Sequence, residues 1–174
     1  FYQLVKPLAN LALRFFFKHI YWVDYDKVPK GKPVIFAANH PTAFVEPCIM
    51  ACFADRPLYF LVRGDFFSQP FYAFLLKALH MLPIFRKKDG GFGDLKNNLK
   101  TFSVCSRALA DGKSIMILAE GCAENEKRLR PIQKGTGRLA LSTLMEYPDL
   151  DLTVVPVGVN YSNALRWRSE VMIN

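Results

Sequence analysis

Polar residues recur at helical spacing along the opening stretch, FYQLVKPLANLALRFFFKHIYWV. Gln3, Lys6, Asn10, Arg14 and Lys18 share one face, and Leu4, Leu8, Leu11 and Phe15 line the opposite one. The pattern predicts an amphipathic helix with a narrow basic stripe over residues 1–22. Its apolar run is short for a membrane-spanning helix. Lying in the bilayer interface, with Lys and Arg reaching towards headgroups, suits it better. The competing expectation is a helix packed on its own domain; Phe16 and Phe17 favour the membrane.

Beyond this segment, short apolar runs alternate with helical ones. Strands are predicted at Trp22–Tyr25, Val34–Ala38, Leu58–Val62, Leu82–Phe85, Ser114–Leu118, Thr153–Val159 and Val171–Ile173. Helices are predicted at Val45–Ala54, Gln69–His80, Gly91–Ala110 and Gly135–Glu146, with PKGKP and DGK as turns. This alternation predicts an α/β domain over residues 23–174, with a mostly parallel central sheet of about seven strands flanked by helices. Pro156 would put its strand at a sheet edge or strand end. The chain has no initiator Met, and its last residues, RSEVMIN, stop inside an apolar run, so the domain is expected to be C-terminally incomplete.

Composition narrows the partners. At 51% hydrophobic residues, a disordered chain is excluded. An excess of 23 Lys and Arg over 15 Asp and Glu suits nucleic acid, an anionic membrane or a phosphate-bearing small molecule. Nucleic acid fits poorly, because no basic cluster with a known module and no stacking aromatics on a sheet appear. Cys48, Cys52, Cys105 and Cys122 lack zinc-site spacing, so no metal is expected and the thiols read as reduced.

Ligands in parallel α/β sheets bind at the carboxyl ends of the strands. Five groups fall there: Asn39-His40, Arg63-Gly64-Asp65, Arg86 with Lys87 and Lys88, Glu120-Gly121, and Gly158 with Asn160. The first carries the sharpest question. In AANHPTAFVEP a histidine ends an apolar strand, and a lone carboxylate, Glu46, follows in apolar surroundings where it is costly unless paired.

Four blocks in order, NHPTAFVEP, RGDFF followed by LPIFRK, LAEGCAENEKRLRPIQKGTGRLA, and VVPVGVNY, resemble the glycerophosphate and lysophospholipid acyltransferases. The resemblance covers roughly residues 30 to 160. It implies transfer of a fatty acyl group from acyl-CoA or acyl carrier protein to a hydroxyl of a glycerophosphate or lysolipid, with no cofactor beyond that donor. His40 would be the general base and Glu46 the carboxylate that orients it. Family members place Asp after four intervening residues; here five intervene and the acid is Glu.

The resemblance also implies that Arg86 holds the acceptor phosphate and that Glu120 and Gly121 help bind the acceptor. Asn39, Arg63 and Lys134 are further substrate-binding candidates, Arg63 within a mainly architectural segment. Cys122 and Ala123 stand where the family has a hydroxyl residue and then Arg or Ser, which leaves the acceptor's identity open. The apolar helix PFYAFLLKALHML is either deep core or a wall for the acyl chain, while His80 and His19 read as structural. The enzyme would work at a membrane lipid surface, on the cytoplasmic face of the inner or plasma membrane. The alternative is a non-catalytic lipid-binding module, and the two differ in whether Glu46 reaches His40.

Overall fold

The computed structural model describes residues 1–42, 44–85, 92–124, 126 and 128–174, with 92–97 described by backbone alone. In chain order the elements are α1 (Tyr2–Phe16), β1 (His19–Trp22), β2 (Val34–Ala38), α2 (Val45–Phe53), β3 (Leu58–Arg63) and α3 (Pro70–Ala78). There follow β4 (Met81–Ile84), α4 (Phe92–Ala110), β5 (Ser114–Leu118), α5 (Gly135–Glu146), β6 (Thr153–Val157), β7 (Val159–Tyr161) and β8 (Glu170–Ile173).

Strand β2 is an inner strand of the main sheet, and its residues VIFAA are all apolar and nearly all buried, the signature of a parallel strand covered on both faces. The main sheet runs β4-β3-β5-β2-β6, and every pairing in it is parallel. Alternation along the strands divides the core. Ile35, Ile115 and Ile117 meet Cys105, Leu109 and Leu139 of α4 and α5 on one face. Phe36 and Met116 turn the other way, towards Ile49 and Met50 of α2 and the second sheet. Pro156 sits on the edge strand β6, where its missing N–H costs no ladder bond.

The strand count differs from the expected single sheet of about seven. Among the described residues eight strands form two sheets, the second being β1-β8-β7. The expected strand Thr153–Val159 breaks at Gly158, which exchanges backbone hydrogen bonds with Asn174 (2.7 and 3.0 Å) and leaves no room for a Cβ beside that side chain. The expected helix over 1–22 ends at Phe16, and His19–Trp22 pairs in parallel with Glu170–Ile173. Partners 151 residues downstream leave no local trace in the sequence. His19 is therefore a strand residue, and the expected strand at Trp22–Tyr25 gives way to a 3-10 turn at Tyr25–Lys27.

Helix α1 packs on α2 with its polar face. Lys6 Nζ donates to the Ala54 carbonyl (2.9 Å), Asn10 to Cys52 (3.3 Å) and the Tyr2 hydroxyl to Ala51 (3.2 Å). These are carbonyls at the α2 C-terminus, which lack helical partners and favour a cation. Arg14 lies over the Phe53 ring at 5.0 Å. His80 is sandwiched between Tyr2 and Tyr59, each with ring centres 4.7 Å away, as a structural histidine. Leu4, Leu8, Leu11 and Phe15 consequently face outward, each between 67% and 74% exposed. Among the described residues no helix is long and apolar enough to cross a membrane.

Asn39 joins the two sheets. Its side chain donates to the Val159 carbonyl (3.0 Å) and accepts the Val159 N–H (2.7 Å), replacing a ladder partner for β7. Asn39→Ala leaves that N–H unmatched, and we expect a loss of about 1–3 kcal/mol in chemical denaturation. An unchanged midpoint would contradict this role.

Candidate active site

His40 stands two residues past the carboxyl end of β2, and Glu46 lies in the first turn of α2. Between them the chain turns at Pro41 and Thr42, and the Thr42 hydroxyl accepts the Val45 N–H (3.3 Å), taking up a donor at the start of the helix. That turn brings Glu46 back towards the His40 ring. Glu46 Oε2 comes to 3.4 Å from His40 Nδ1. The carboxylate is completely buried and His40 nearly so. Its other oxygen, Oε1, accepts the Thr42 N–H (2.7 Å) and the Tyr161 hydroxyl (3.3 Å). A position near the α2 N-terminus favours the anion as well.

Tyr161 ends β7 in the second sheet and escaped the sequence reading, since it reaches Glu46 from 115 residues away. Burial, and then the Glu46 charge, push its phenol far above the usual range, so it remains a donor to the carboxylate.

The backbone of His40 is held on both sides. Its N–H donates to Glu120 Oε1 (3.3 Å), and its carbonyl accepts the Glu124 N–H (3.3 Å). Behind both stands Arg130, a residue that the sequence reading did not single out. Its guanidinium pairs with Glu120 Oε2 (2.6 Å) and Glu124 Oε1 (3.2 Å) and donates to Cys122 Sγ (3.1 Å) and the Cys122 carbonyl. Gly121 provides the left-handed turn, φ +73°, that sends the loop back. Glu120 was expected to bind the acceptor; the structure turns its carboxylate to the His40 backbone and Arg130.

The remaining expectations scatter. Asn39 spends its amide on Val159. Arg63 is exposed, pairs with Asp65 (2.7 Å) and lies 5.7 Å from the Phe66 ring centre. Gly64 beside it has the Phe85 ring where a Cβ would go, which makes this turn architectural. Lys134 precedes α5 with an exposed side chain. The Arg86 expectation, with Lys87 and Lys88, lies outside the described residues. Burial pushes the Cys48 and Cys105 thiols up to about 12, which makes them poor nucleophiles. No cluster of metal-ligating side chains occurs among the described residues.

A cavity of about 900 Å³ opens between the two sheets, starting at Asn39 and Pro41 beside His40 and walled by Phe36, Met50, Val157 and Ile173. Charged side chains, Asp24, Lys27, Glu126 and Arg128, share the lining with these apolar walls, and its size is that of a small-molecule site. Helix α3, considered above as an acyl-chain wall, lines no part of it and exposes Phe71 and Phe74.

Comparison with known proteins adds to this geometry. The family model described as Acyltransferase matches residues 19–160. The chain is 31% identical to Glycerol-3-phosphate O-acyltransferase 1 of Saccharomyces cerevisiae, over 99% of this chain and 34% of that protein. It is 22% identical to Lyso-ornithine lipid O-acyltransferase of Rhizobium meliloti, over 79% and 44% respectively. It therefore spans less than half the length of these curated relatives. The crystal structure of the 1-acyl-sn-glycerophosphate (LPA) acyltransferase PlsC from Thermotoga maritima superposes with a TM-score of 0.65 at 14% identity. That match covers 99% of this chain and 67% of the other, and the likeness is one of fold.

Arg130→Ala leaves two carboxylates facing each other beside His40, one of them buried. We expect a loss of about 3–5 kcal/mol, the usual penalty for stranding a buried charge, read by denaturant melts. Lysine at the same position should recover only part, because one ammonium cannot reach every partner of the planar fork. Full recovery by lysine would show that charge alone suffices.

Proposed function

The chain belongs to the Acyltransferase family, and from that premise we propose that it moves a fatty acyl group from the thioester of acyl-CoA or acyl carrier protein to a hydroxyl of a glycerophosphate or lysolipid. The observation that carries the proposal is the contact between His40 and Glu46 despite the unusual spacing. With Nδ1–H donated to Glu46, Nε2 is left as the base. It takes the acceptor's hydroxyl proton as that oxygen attacks the thioester carbonyl. Glu46 then faces an imidazolium, which it stabilises by charge. The tetrahedral adduct collapses by breaking the carbon–sulfur bond, and the proton leaves His40 for the departing thiolate. General-base assistance of this kind is worth about 10²–10⁴ in rate.

The other parts take supporting roles. The Glu120–Arg130 pair fixes the His40 backbone, and the cavity between the sheets takes the acyl chain. Arg86 holds the acceptor's phosphate through paired donors, a role that rests on the family resemblance. A binding module with a broken dyad would have needed Glu46 out of reach of the ring, so the observed contact favours catalysis.

The same reading puts the protein on the cytoplasmic face of the inner or plasma membrane, held there by α1. An amphipathic helix that spends its polar face on its own domain and turns leucines outward has the polarity of an interfacial helix. Lys6 and Arg14 serve α2, while Lys18, two residues past the end of α1, is exposed to solvent.

Two experiments follow. Thiol release from palmitoyl-CoA, measured on vesicle-bound protein across glycerophosphate and lysolipid acceptors, should depend on acceptor and drop at least about a hundredfold in His40→Ala. Arg86→Ala should raise the acceptor KM more than the donor KM. Release unaffected by His40→Ala would reject the mechanism. Separately, replacing Leu4, Leu8 and Leu11 together by serine should free the protein from sedimenting vesicles without lowering its melting temperature. A deletion of the helix would be less informative, since Tyr2 is buried and neighbouring Phe17 belongs to the core. Sedimentation unaltered by the serines would reject α1 as the anchor.

A further inference from the structure

Between β7 and β8 runs the loop SNALRWRS, residues 162–169. It is a built turn. The Asn163 side chain accepts the Leu165 N–H (3.1 Å), the Asn163 carbonyl accepts the Arg166 N–H (3.3 Å), and Ser162 Oγ takes the Glu170 N–H (2.9 Å). This ordered loop holds Leu165 82% exposed and Trp167 57% exposed, with Arg166 and Arg168 exposed on either side of the indole. A large apolar pair on a tight, hydrogen-bonded tip carries a solvation cost that the fold itself does not require.

The loop is fastened to the end of α1. Arg168 N–H donates to the Phe16 carbonyl (2.8 Å), and Lys18 N–H donates to the Ser169 carbonyl (2.9 Å). The Trp167 and Phe15 rings lie 5.9 Å apart at 52°. Trp167 thereby continues the outward apolar row of Leu4, Leu8, Leu11 and Phe15. Lys18, Arg166 and Arg168 surround this junction with positive charge, opposed locally by Glu170.

We propose that the 162–169 loop is a second bilayer anchor, in which Trp167 and Leu165 enter the interface of an anionic membrane while Arg166 and Arg168 meet its headgroups. The inference rests on the reading of α1 as a membrane-surface helix and adds a site remote from it in sequence. Charge complementarity selects an anionic lipid surface, and Trp with flanking Arg is the side-chain pairing suited to the boundary between acyl chains and headgroups. The loop leaves β7 at Tyr161, the residue that bonds Glu46. Docking it would set the height of the dyad relative to the lipid, so that an acceptor reaches His40 while its tail remains in the bilayer.

The test uses vesicles of phosphatidylcholine and phosphatidylglycerol, with and without bromine on the acyl chains. Trp22 is the other tryptophan, so Trp167→Phe isolates its emission. The native protein should show blue-shifted, bromine-quenched fluorescence on binding, and that component should be absent from the Trp167→Phe protein. Leu165→Ser with Trp167→Ser should weaken partitioning roughly tenfold while melting as the native protein does. Vesicle binding with no quenching of Trp167 overturns the loop anchor and leaves α1 standing. Failure to bind vesicles at all overturns both. Blue-shifted Trp167 emission from a self-associated protein before lipid is added, unchanged afterwards, assigns the face to a second copy and overturns the proposal.

Discussion

A fully buried carboxylate is the constraint around which this molecule is arranged. Glu46 has no solvent contact, and burying its charge without partners is prohibitive. Its two oxygens meet three groups: the His40 ring, the Thr42 N–H and the Tyr161 hydroxyl. Each comes from a different part of the fold, namely the segment just past β2, the turn after it and the second sheet. Losing any of these elements would leave the charge exposed to the apolar core with one partner fewer. The need to satisfy Glu46 therefore links the main sheet, α2 and the small sheet more tightly than hydrophobic packing alone would.

The second sheet gains its meaning from this link. Gly158 breaks what would otherwise be one long strand, and Asn39 takes over the backbone partners of Val159 on the far side of the break. The redirected β7 then brings Tyr161 across to Glu46. Gly158 also lines the cavity that reaches Asn39 and Pro41 on either side of His40. One local irregularity thus helps complete the carboxylate's environment. Arg130 performs the parallel task on the opposite side, binding Glu120 and Glu124 so that both backbone groups of His40 are held.

Local pattern revealed much of the fold. β2, β5 and α5 coincide with their predicted ranges, because continuous apolar runs and a sustained amphipathic repeat are local signals. His40 and Glu46 were legible for a related reason, as polar residues stand out at the end of a buried strand. What escaped the sequence was non-local. The β1 strand exists only through β8, and its residues looked like a continuation of the helix before them. Tyr161 and Arg130 reach the site from loops and strands far along the chain. The amphipathic repeat of α1 was plain, but not which face would pack. Carbonyls at the end of α2 decided that, by offering Lys6 and Asn10 partners. Glu120 was expected to face the acceptor, and its turn towards the His40 backbone depends on Arg130, which the local pattern did not mark.

The proposed chemistry requires Glu46 to act as the partner of His40 across five intervening residues. The most direct measurement is long-range proton–nitrogen NMR of the imidazole side chains, with the His40 signals assigned by substitution. Neutral His40 should be held as the Nδ1–H tautomer, with a low-field Nδ1 proton that disappears in Glu46→Gln while His19 and His80 are unmoved. An Nε2–H tautomer, or a His40 spectrum indifferent to Glu46→Gln, would contradict the dyad and the chemistry built on it.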